Sequence, residues 1–321
     1  MTCHIIGTPI MMYDGTIKKI QDVIIGDLVM GDDSLPKVVT KNEYHSGDLQ
    51  LYKVVPTKGD SYISSSVCLK FNKRRSNKFN SIFHIPIKEY IHKTINFKNL
   101  IAGFRVPITF SEKDIPFDPY MIGYWLGDGT RCSISCQEAP VLHYFNKNLG
   151  KYNLYLAYRN NYIYDIKSCI DENYFFKIKH DLRLLPVKHI PLIYKCNSRD
   201  KQIELLAGII DADGSAINGG WEFTQKNEKL FDDVLFLCRS LGFACYKSIF
   251  LKGGESYLRC NISGKGIEDV PCRILRKKLN ARAQIKNVLN VGLKIETTYD
   301  IEYFKIEIDG EKFCLGDFTA V

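Results

Sequence analysis

The sequence predicts an α+β protein of two domains, in which a central unit of two similar αβ repeats is flanked by all-β segments. Three observations support this fold class. The chain has 321 residues, more than one hydrophobic core usually supports. Short β-type runs occupy residues 5–56, whereas helical periodicity begins near Phe110. One nine-residue segment also occurs twice, 85 residues apart.

The N-terminal segment reads as short strands joined by turns. Asp14-Gly15 is a hairpin signal. The β-type runs around it are Val23 to Met30, Lys37 to Thr40 and Leu51 to Val55.

A basic stretch follows at residues 70–80. Its five cations, with no acid among them, are Lys70, Lys73, Arg74, Arg75 and Lys78. Two interpretations stay open. The stretch is either a solvated loop or a surface that contacts DNA phosphates, and the interleaved Phe71 and Phe79 favour the second.

Two helix openings lie further along the chain. Asp118-Pro119 predicts a helix with Asp as N-cap and Pro at the first helical position. Asn197-Ser198, with Asp200 in the first turn, predicts the second.

These openings lead into the repeated segments, Met121–Gly129 and Leu206–Gly214, and the agreement continues downstream. Ser135-Cys136-Gln137 corresponds to Phe223-Thr224-Gln225. An amphipathic helix follows each and ends at Leu-Gly, where we expect Gly150 and Gly242 to be left-handed caps. A pseudo-twofold axis should relate the two copies.

Each of the paired segments carries near its end an acidic residue that could bind a metal. Gly123 with Gly127, and Gly208 with Ala212, give each helix a flat face on which another backbone can approach. If the helices pack together, Asp128 and Asp213 meet at their C-terminal ends, where two acids repel each other and oppose the helix dipoles. A divalent cation would relieve both effects, and oxygen ligands favour Mg²⁺. The alternative is that each Asp-Gly is only a turn.

LAGIIDADG, residues 206–214, closely resembles the signature of the LAGLIDADG homing endonucleases, and MIGYWLGDG is similar to the first copy in their intein-encoded members. The resemblance implies that Asp128 and Asp213 hold catalytic metals, helped by the carbonyls of Gly127 and Ala212. It also implies a lysine near each scissile phosphate. One corresponds to Lys188 in KHIP, and the other to the Lys277-Lys278 pair. Lys278 is expected to be catalytic and Lys277 to bind DNA.

The two ends of the chain resemble another family. Cys3 and the residues after it are similar to the first block of intein (Hint) splicing domains, and YFKIEIDGEKFCLGDFTAV is similar to their last strands. This implies an all-β Hint domain at 1–110 and 291–321, with the endonuclease at 111–290 in repeats of about 115–200 and 201–285.

The splicing motifs depart from that pattern. Ser65 or Cys68 stands where a histidine motif is expected, and the last residues, Thr319 to Val321, are not His-Asn. Splicing needs the histidine and a terminal asparagine. We therefore expect Cys3 to be a remnant nucleophile in a degenerate Hint domain, or the chain to be trimmed so that splicing is blocked.

The resemblance implies a site-specific endonuclease that makes a Mg²⁺-dependent double-strand break, with Mn²⁺ as a possible substitute. It would act as a monomer on a long duplex DNA site, bound by saddle-shaped sheets. Two alternatives remain. One is a working intein, and the other is a DNA-binding protein or maturase of the same fold that does not cleave.

Composition fits these readings without choosing between them. The formal charge of +8 permits a nucleic-acid partner. Membrane spans and a signal peptide are not expected, so we expect a cytoplasmic or nuclear protein that is not secreted. The eleven cysteines form no CxxC pairs and should mostly be buried thiols.

Overall fold

The structure is a computed structural model that describes residues 2–47, 49–72, 78, 81–281, 286–298 and 302–321. Within these ranges the strands are β1 (Thr2–Ile5), β2 (Pro9–Met11), β3 (Ile17–Lys19), β4 (Leu28–Met30), β5 (Pro36–Ser46), β6 (Tyr52–Pro56), β7 (Tyr62–Ser64), β8 (Ser66–Phe71), β9 (Ile82–Pro86), β10 (Ile101–Phe104), β11 (Gly129–Thr130), β12 (Ser133–Ser135), β13 (Leu154–Asn160), β14 (Ile163–Ser168), β15 (Gly214–Ile217), β16 (Gly220–Gln225), β17 (Ser248–Lys252), β18 (Glu255–Ile262), β19 (Asn290–Val291), β20 (Leu293–Thr297) and β21 (Glu302–Ile308).

The helices in the same ranges are α1 (Ile87–Tyr90), α2 (Ile95–Lys98), α3 (Pro119–Asp128), α4 (Ala139–Leu149), α5 (Tyr174–Asp181), α6 (Leu192–Lys195), α7 (Arg199–Asp213) and α8 (Glu228–Ser240). In this part of the chain, no helix combines the length and the apolar character needed to cross a membrane.

The chain divides into two compact units. One consists of Met1–Ile108 with Lys286–Val321, and the other of Thr109–Ile285. The expected α+β class is confirmed, because the first unit is built mainly of strands and the second combines helices with two sheets.

The first unit joins the N-terminal and C-terminal parts of the chain through strand pairing. Its largest sheet has the order β20-β6-β7-β1-β21-β5-β4, in which Cys3 on β1 faces Lys305 on β21. A second sheet has the order β19-β10-β8-β9. A buried ion pair between Arg105 and Asp317, 2.9 Å long, also links the two parts.

The predicted strands of this unit are partly confirmed. Asp14-Gly15 lies in the turn between β2 and β3, and Gly15 has φ 88°. The predicted strand from Val23 to Met30 was wrong over its first half. There the chain makes turns after a 3-10 helix, and only Leu28–Met30 is a strand. Asp27 explains this, because its carboxylate accepts from the Ile24 amide at 3.0 Å and closes a turn.

The second unit contains two copies of one arrangement. The first runs α3, β11, β12, α4, β13, β14, and its sheet has the order β11-β12-β14-β13. The second runs α7, β15, β16, α8, β17, β18, and its sheet has the equivalent order β15-β16-β18-β17. The internal repeat is therefore confirmed. One hydrophobic core spans both copies and includes the fully buried Trp125 and Trp221.

Local signals explain the helix ends. Asp118 caps α3 by accepting from the Met121 amide at 2.9 Å, and Pro119 follows it. Helix α7 begins after Ser198, which makes no side-chain cap.

The two expected glycine caps differ. Gly242 is left-handed at φ 85°, as predicted. The prediction for Gly150 was wrong, since it has φ −55° and continues into a 3-10 turn. That turn ends at the left-handed Asn153, so an asparagine supplies the reversal in the first repeat.

Candidate active site between the paired helices

Helices α3 and α7 touch through backbone atoms at their glycines. A Cβ placed on Gly208 would lie 2.7 Å from the Tyr124 nitrogen, and one on Gly123 would lie 3.1 Å from the Ile209 nitrogen. Any larger side chain at these positions would push the helices apart. The small-residue pattern read from the sequence therefore marks a real helix contact.

This contact brings Asp128 and Asp213 close together at the C-terminal ends of the two helices. A Cβ on Gly127 would lie 3.2 Å from the carboxylate of Asp213. Burial, together with the negative charge of Asp128, raises the pKa of Asp213 to about 6, against the opposing effect of two lysines. Burial also raises the pKa of Asp128. The two acids thus form one coupled electrostatic site.

Lys188 lies on the end of α3. Its amine donates to four carbonyl oxygens of that helix end and the next strand, those of Trp125 (3.0 Å), Leu126 (3.0 Å), Gly127 (3.3 Å) and Gly129 (2.6 Å). The last carbonyls of a helix lack the usual amide partners and form the negative end of its dipole. The Trp125 carbonyl accepts from the Gly129 N–H as well. A half-buried ammonium is therefore hydrogen-bonded to the end of the helix that carries Asp128.

The equivalent position in the second repeat belongs to Lys277. Its amine donates to the carbonyls of Ile210 (2.9 Å), Asp211 (2.7 Å) and Ala212 (3.2 Å) at the end of α7. Lys278, chosen from the sequence as the catalytic lysine, is exposed instead. Of this pair, Lys277 is thus the one that contacts the end of α7, and the expected roles of both lysines stay predictions. The 3-10 turn Leu275–Lys277 directs Lys277 inward, a detail that a Lys-Lys sequence does not reveal.

Each lysine interacts with both aspartates. Burial lowers the pKa of Lys188, while Asp213 and then Asp128 oppose that effect. Burial likewise lowers the pKa of Lys277, which the charge of Asp211 opposes most, followed by those of Asp128 and Asp213. Two acids and two amines thus share one partly desolvated space.

Sequence reasoning missed two residues of this site. Gln225 donates to the Asp213 carboxylate at 3.3 Å, whereas Gln137, its counterpart in the first repeat, is exposed. Gln137 and Gln225 occupy equivalent positions in the two repeats, and this match could have identified Gln225 as a candidate site residue. Asp211, two residues before Asp213, is buried and accepts from the Tyr120 hydroxyl at 2.8 Å. Its counterpart is the apolar Leu126, so repeat comparison could not have found it.

An open cleft of about 570 Å³ adjoins the end of α3. Polar and apolar residues line it: Gly129, Thr130, Arg131, Leu185, Pro186, Val187, Lys188 and Asn227. The cleft gives the Lys188 side of the site access to solvent.

The basic stretch is described only in part. Lys70 is half-buried, with its amine 5.9 Å from the centre of the Phe104 ring, and Lys78 is exposed. Lys73, Arg74 and Arg75 lie outside the described residues.

Cys3 in the first unit is buried, and its backbone N–H donates to the Ser65 hydroxyl at 3.1 Å. Burial raises the pKa of the Cys3 thiol, although the hydrogen bond from Ser65 and the charge of Lys305 oppose this. Cys68 lies in a separate cluster with Phe104. Of the two residues considered for the histidine position, Ser65 is therefore the one that contacts Cys3.

The eleven cysteines are free thiols, and nine of them are buried. The expectation that most would be buried thiols is confirmed.

Comparison with known proteins gives one family match. Residues 3–75 match the family described as Hom_end-associated Hint. The replicative DNA helicase DnaB of Mycobacterium intracellulare is 29% identical over 140 residues, which is 43% of this chain. The match spans only 21% of that protein, about a fifth of its length.

Solved structures of the homing endonuclease I-DmoI also match. The complex of I-DmoI with DNA and Ca is 16% identical, with a TM-score of 0.31 and coverage of 46% of this chain and 82% of that one. The mesophilic variants of I-DmoI are 17% identical, with a TM-score of 0.34 and coverage of 51% of this chain and 97% of that one.

Two features of the chain indicate which families its parts resemble. Residues 3–75 match the Hint family, and the LAGIIDADG segment lies on one of two paired helices in a duplicated unit. Residues 3–75 are therefore similar to the Hom_end-associated Hint family, and the duplicated unit carries, in residues 206–214, a segment that resembles the LAGLIDADG signature.

Proposed function

We propose that the chain is a site-specific endonuclease that makes a metal-dependent double-strand break in DNA. One observation carries the proposal. Two carboxylates whose charges interact, Asp128 and Asp213, meet at the ends of paired helices, and a lysine amine is hydrogen-bonded to each helix end. Such a pair is costly for stability alone, because both acids oppose the helix dipoles and repel each other.

The donor atoms at this site suit Mg²⁺ or Mn²⁺. Asp128 and Asp213 would hold the metals, with the carbonyls of Gly127 and Ala212 as further oxygen ligands. The raised pKa of Asp213 supports this fit, because a cation would relieve the repulsion behind part of it. The described residues contain no cluster of three or more His, Cys, Asp or Glu side chains placed to bind a metal, so two carboxylates and two carbonyls would be the protein ligands here. Water and DNA phosphates would therefore complete the coordination.

A bound divalent metal would supply Lewis-acid activation of water and stabilisation of the leaving oxygen. The chain's own groups would do the rest. Lys188 and Lys277 would place positive charge beside a phosphate oxygen as negative charge develops on it. An ammonium has three N–H donors, so a hydrogen bond to that oxygen would replace one that the amine now makes to a helix carbonyl. Their helix carbonyls hold both amines in place before DNA binds. Lys278, exposed beside Lys277, would contact the DNA backbone.

The duplicated sheets would contact DNA. Tyr155, Tyr158 and Arg159 on β13 are exposed and can donate hydrogen bonds to base edges or phosphates. Because one chain carries both repeats, a monomer would suffice to bind an asymmetric DNA site. We expect it to act in the cytoplasm or nucleus. The excess of basic residues, +8 overall, would favour association with the backbone.

Asp128→Asn and Asp213→Asn test the metal assignment. The target is first obtained by selecting cleaved duplexes from a random library in Mg²⁺. Each variant should lose double-strand cleavage and keep site binding in a gel-shift assay, because asparagine removes the charge that holds a metal. Asp200→Asn, an exposed acid at the other end of α7, is the matched control and should cut like the parent. Cleavage near the parent rate by either active-site variant would contradict the assignment.

We also infer that the Cys3 site does not complete protein splicing. Ser65 accepts from the Cys3 amide, and a hydroxyl is a far weaker proton donor to a leaving nitrogen than an imidazolium. A working intein is therefore the weaker proposal. A DNA-binding protein or maturase that does not cut is also weaker, because both aspartates, Asp128 and Asp213, are present.

A further inference from the structure

Two buried carboxylates near the active site have no place in the metal assignment. Asp211 and Asp233 are each 2% exposed. Burying a carboxylate without partners is costly, so their hydrogen bonds indicate what they hold in place.

Asp211 holds the segment that carries Lys277. Its carboxylate accepts from the Arg273 backbone N–H at 2.6 Å and from the Tyr120 hydroxyl at 2.8 Å. Arg273 lies just before the 3-10 turn Leu275–Lys277. The hydrogen bond therefore fixes the point from which Lys277 reaches back to the end of α7.

Asp233 does the same for Lys188 from another element, helix α8. Its carboxylate accepts from the Ile190 backbone N–H at 3.0 Å, two residues after Lys188. It also forms an ion pair with Lys195 at 2.7 Å. On the same helix, the N-cap residue Asn227 donates to the Lys188 carbonyl at 2.7 Å.

We propose that Asp211 and Asp233 are positioning residues, each of which holds one active-site lysine on the end of a motif helix through a backbone hydrogen bond. The arrangement differs between the repeats. Lys277 is held by an acid of the motif itself, whereas Leu126 occupies that position in the first repeat and α8 supplies the acid for Lys188. A lysine stem is flexible, so its backbone must be fixed if its amine is to stay on the carbonyls.

Lysine labelling tests this without any cleavage assay. In the full chain, reductive methylation followed by mass spectrometry measures the reactivity of each amine. Asp211→Asn places an amide where two donors point, and it should increase labelling of Lys277 roughly tenfold while Lys188 stays protected. Asp233→Asn should show the opposite selectivity.

Matched controls remove a neighbouring ion pair but keep the backbone hydrogen bonds. Glu204→Gln breaks the 2.8 Å ion pair with the Arg273 side chain, and Lys229→Gln breaks the 3.2 Å ion pair with Asp233. Neither should change the labelling of the active-site lysines. Equal exposure of both lysines in Asp211→Asn, or the same effect in Glu204→Gln, would overturn the proposal.

A measurement on the parent chain covers the case in which a variant fails to fold. The backbone amides of Arg273 and Ile190 should exchange with solvent deuterium at least roughly tenfold more slowly than exposed turn amides, because a buried carboxylate accepts from each. Fast exchange at these two amides would refute the proposal by itself.

The consequence for catalysis rests on the proposed endonuclease function. Asp211→Asn and Lys277→Ala should slow cleavage of the same strand and accumulate the same nicked duplex. The double variant should be no slower than Lys277→Ala alone, because the acid acts through the lysine. Fully additive losses, or equal slowing of both strands, would refute the positioning role. If the parent does not cut DNA while the labelling results hold, the function fails and the positioning role stands.

Discussion

Replacing Asp213 by asparagine should stabilise the metal-free protein at neutral and alkaline pH. Asparagine has nearly the shape of a protonated aspartic acid and carries no charge. In the folded chain, burial and the nearby Asp128 raise the pKa of Asp213 from 3.8 to about 6. Ionisation of this group therefore costs folding free energy, which the variant avoids.

The magnitude follows from the size of that shift. About two pKa units at about 1.4 kcal/mol each give a ceiling of about 3 kcal/mol. Asp213 is only half-buried, so solvent screening reduces the expected gain to about 1 to 2 kcal/mol. For a unit of this size, that corresponds to a rise in Tm of about 2 to 8 °C.

The sign depends on pH. Because the folded pKa is raised, the stabilising contribution of protonated Asp213 is complete below about pH 4 and is lost as pH rises through about 6. The parent should match Asp213→Asn near pH 4 and fall below it at pH 8.

Thermal unfolding in EDTA from pH 4 to 8 measures this difference. Asp200→Asn is the control on the same helix, and it should lose slight stability because it removes an acid from the favourable N-terminal end. Added Mg²⁺ should raise the Tm of the parent more than that of Asp213→Asn. A difference between parent and variant that is absent at pH 8, or constant across the range, would refute the reasoning.

Three further predictions concern other parts of the chain. Gly208→Ala should lose about 1 to 3 kcal/mol in urea denaturation, because its Cβ meets the backbone of α3, whereas Gly150→Ala has open space and should be nearly neutral. Equal stability of the two variants would contradict the close packing of the helices. Replacing the basic residues 73–75 by alanine should reduce the log-log salt slope of DNA binding by about 0.9 for each phosphate that is no longer neutralised, and an unchanged slope would indicate a solvated loop. A fusion with tags before Cys3 and after an added His-Asn-Cys should yield no ligated product on a gel, because Ser65 rather than a histidine contacts the Cys3 backbone. Prompt ligation would disprove this.

Much of the fold could be predicted from local signals. The duplication, the capped start of α3 at Asp118 and the flat helix faces at Gly123 and Gly208 follow from residue spacing, because a helix repeats its faces every three to four residues. Local turns that replace a predicted strand or extend a helix end were harder to predict. The turn closed by Asp27 replaced a predicted strand, and a 3-10 turn moved the left-handed residue from Gly150 to Asn153.

The sequence by itself determined which acids meet. Asp128 and Asp213 end equivalent helices, and two flat faces leave few other ways to pack. Only the tertiary structure decided which lysine accompanies each helix end and what holds it. Lys277 rather than Lys278 points inward because of one 3-10 turn, and Asp211 and Asp233 reach their partners across separations of 62 and 43 residues. The physical reason is that a backbone hydrogen bond between distant segments leaves no periodic trace in the sequence, whereas a helix face does.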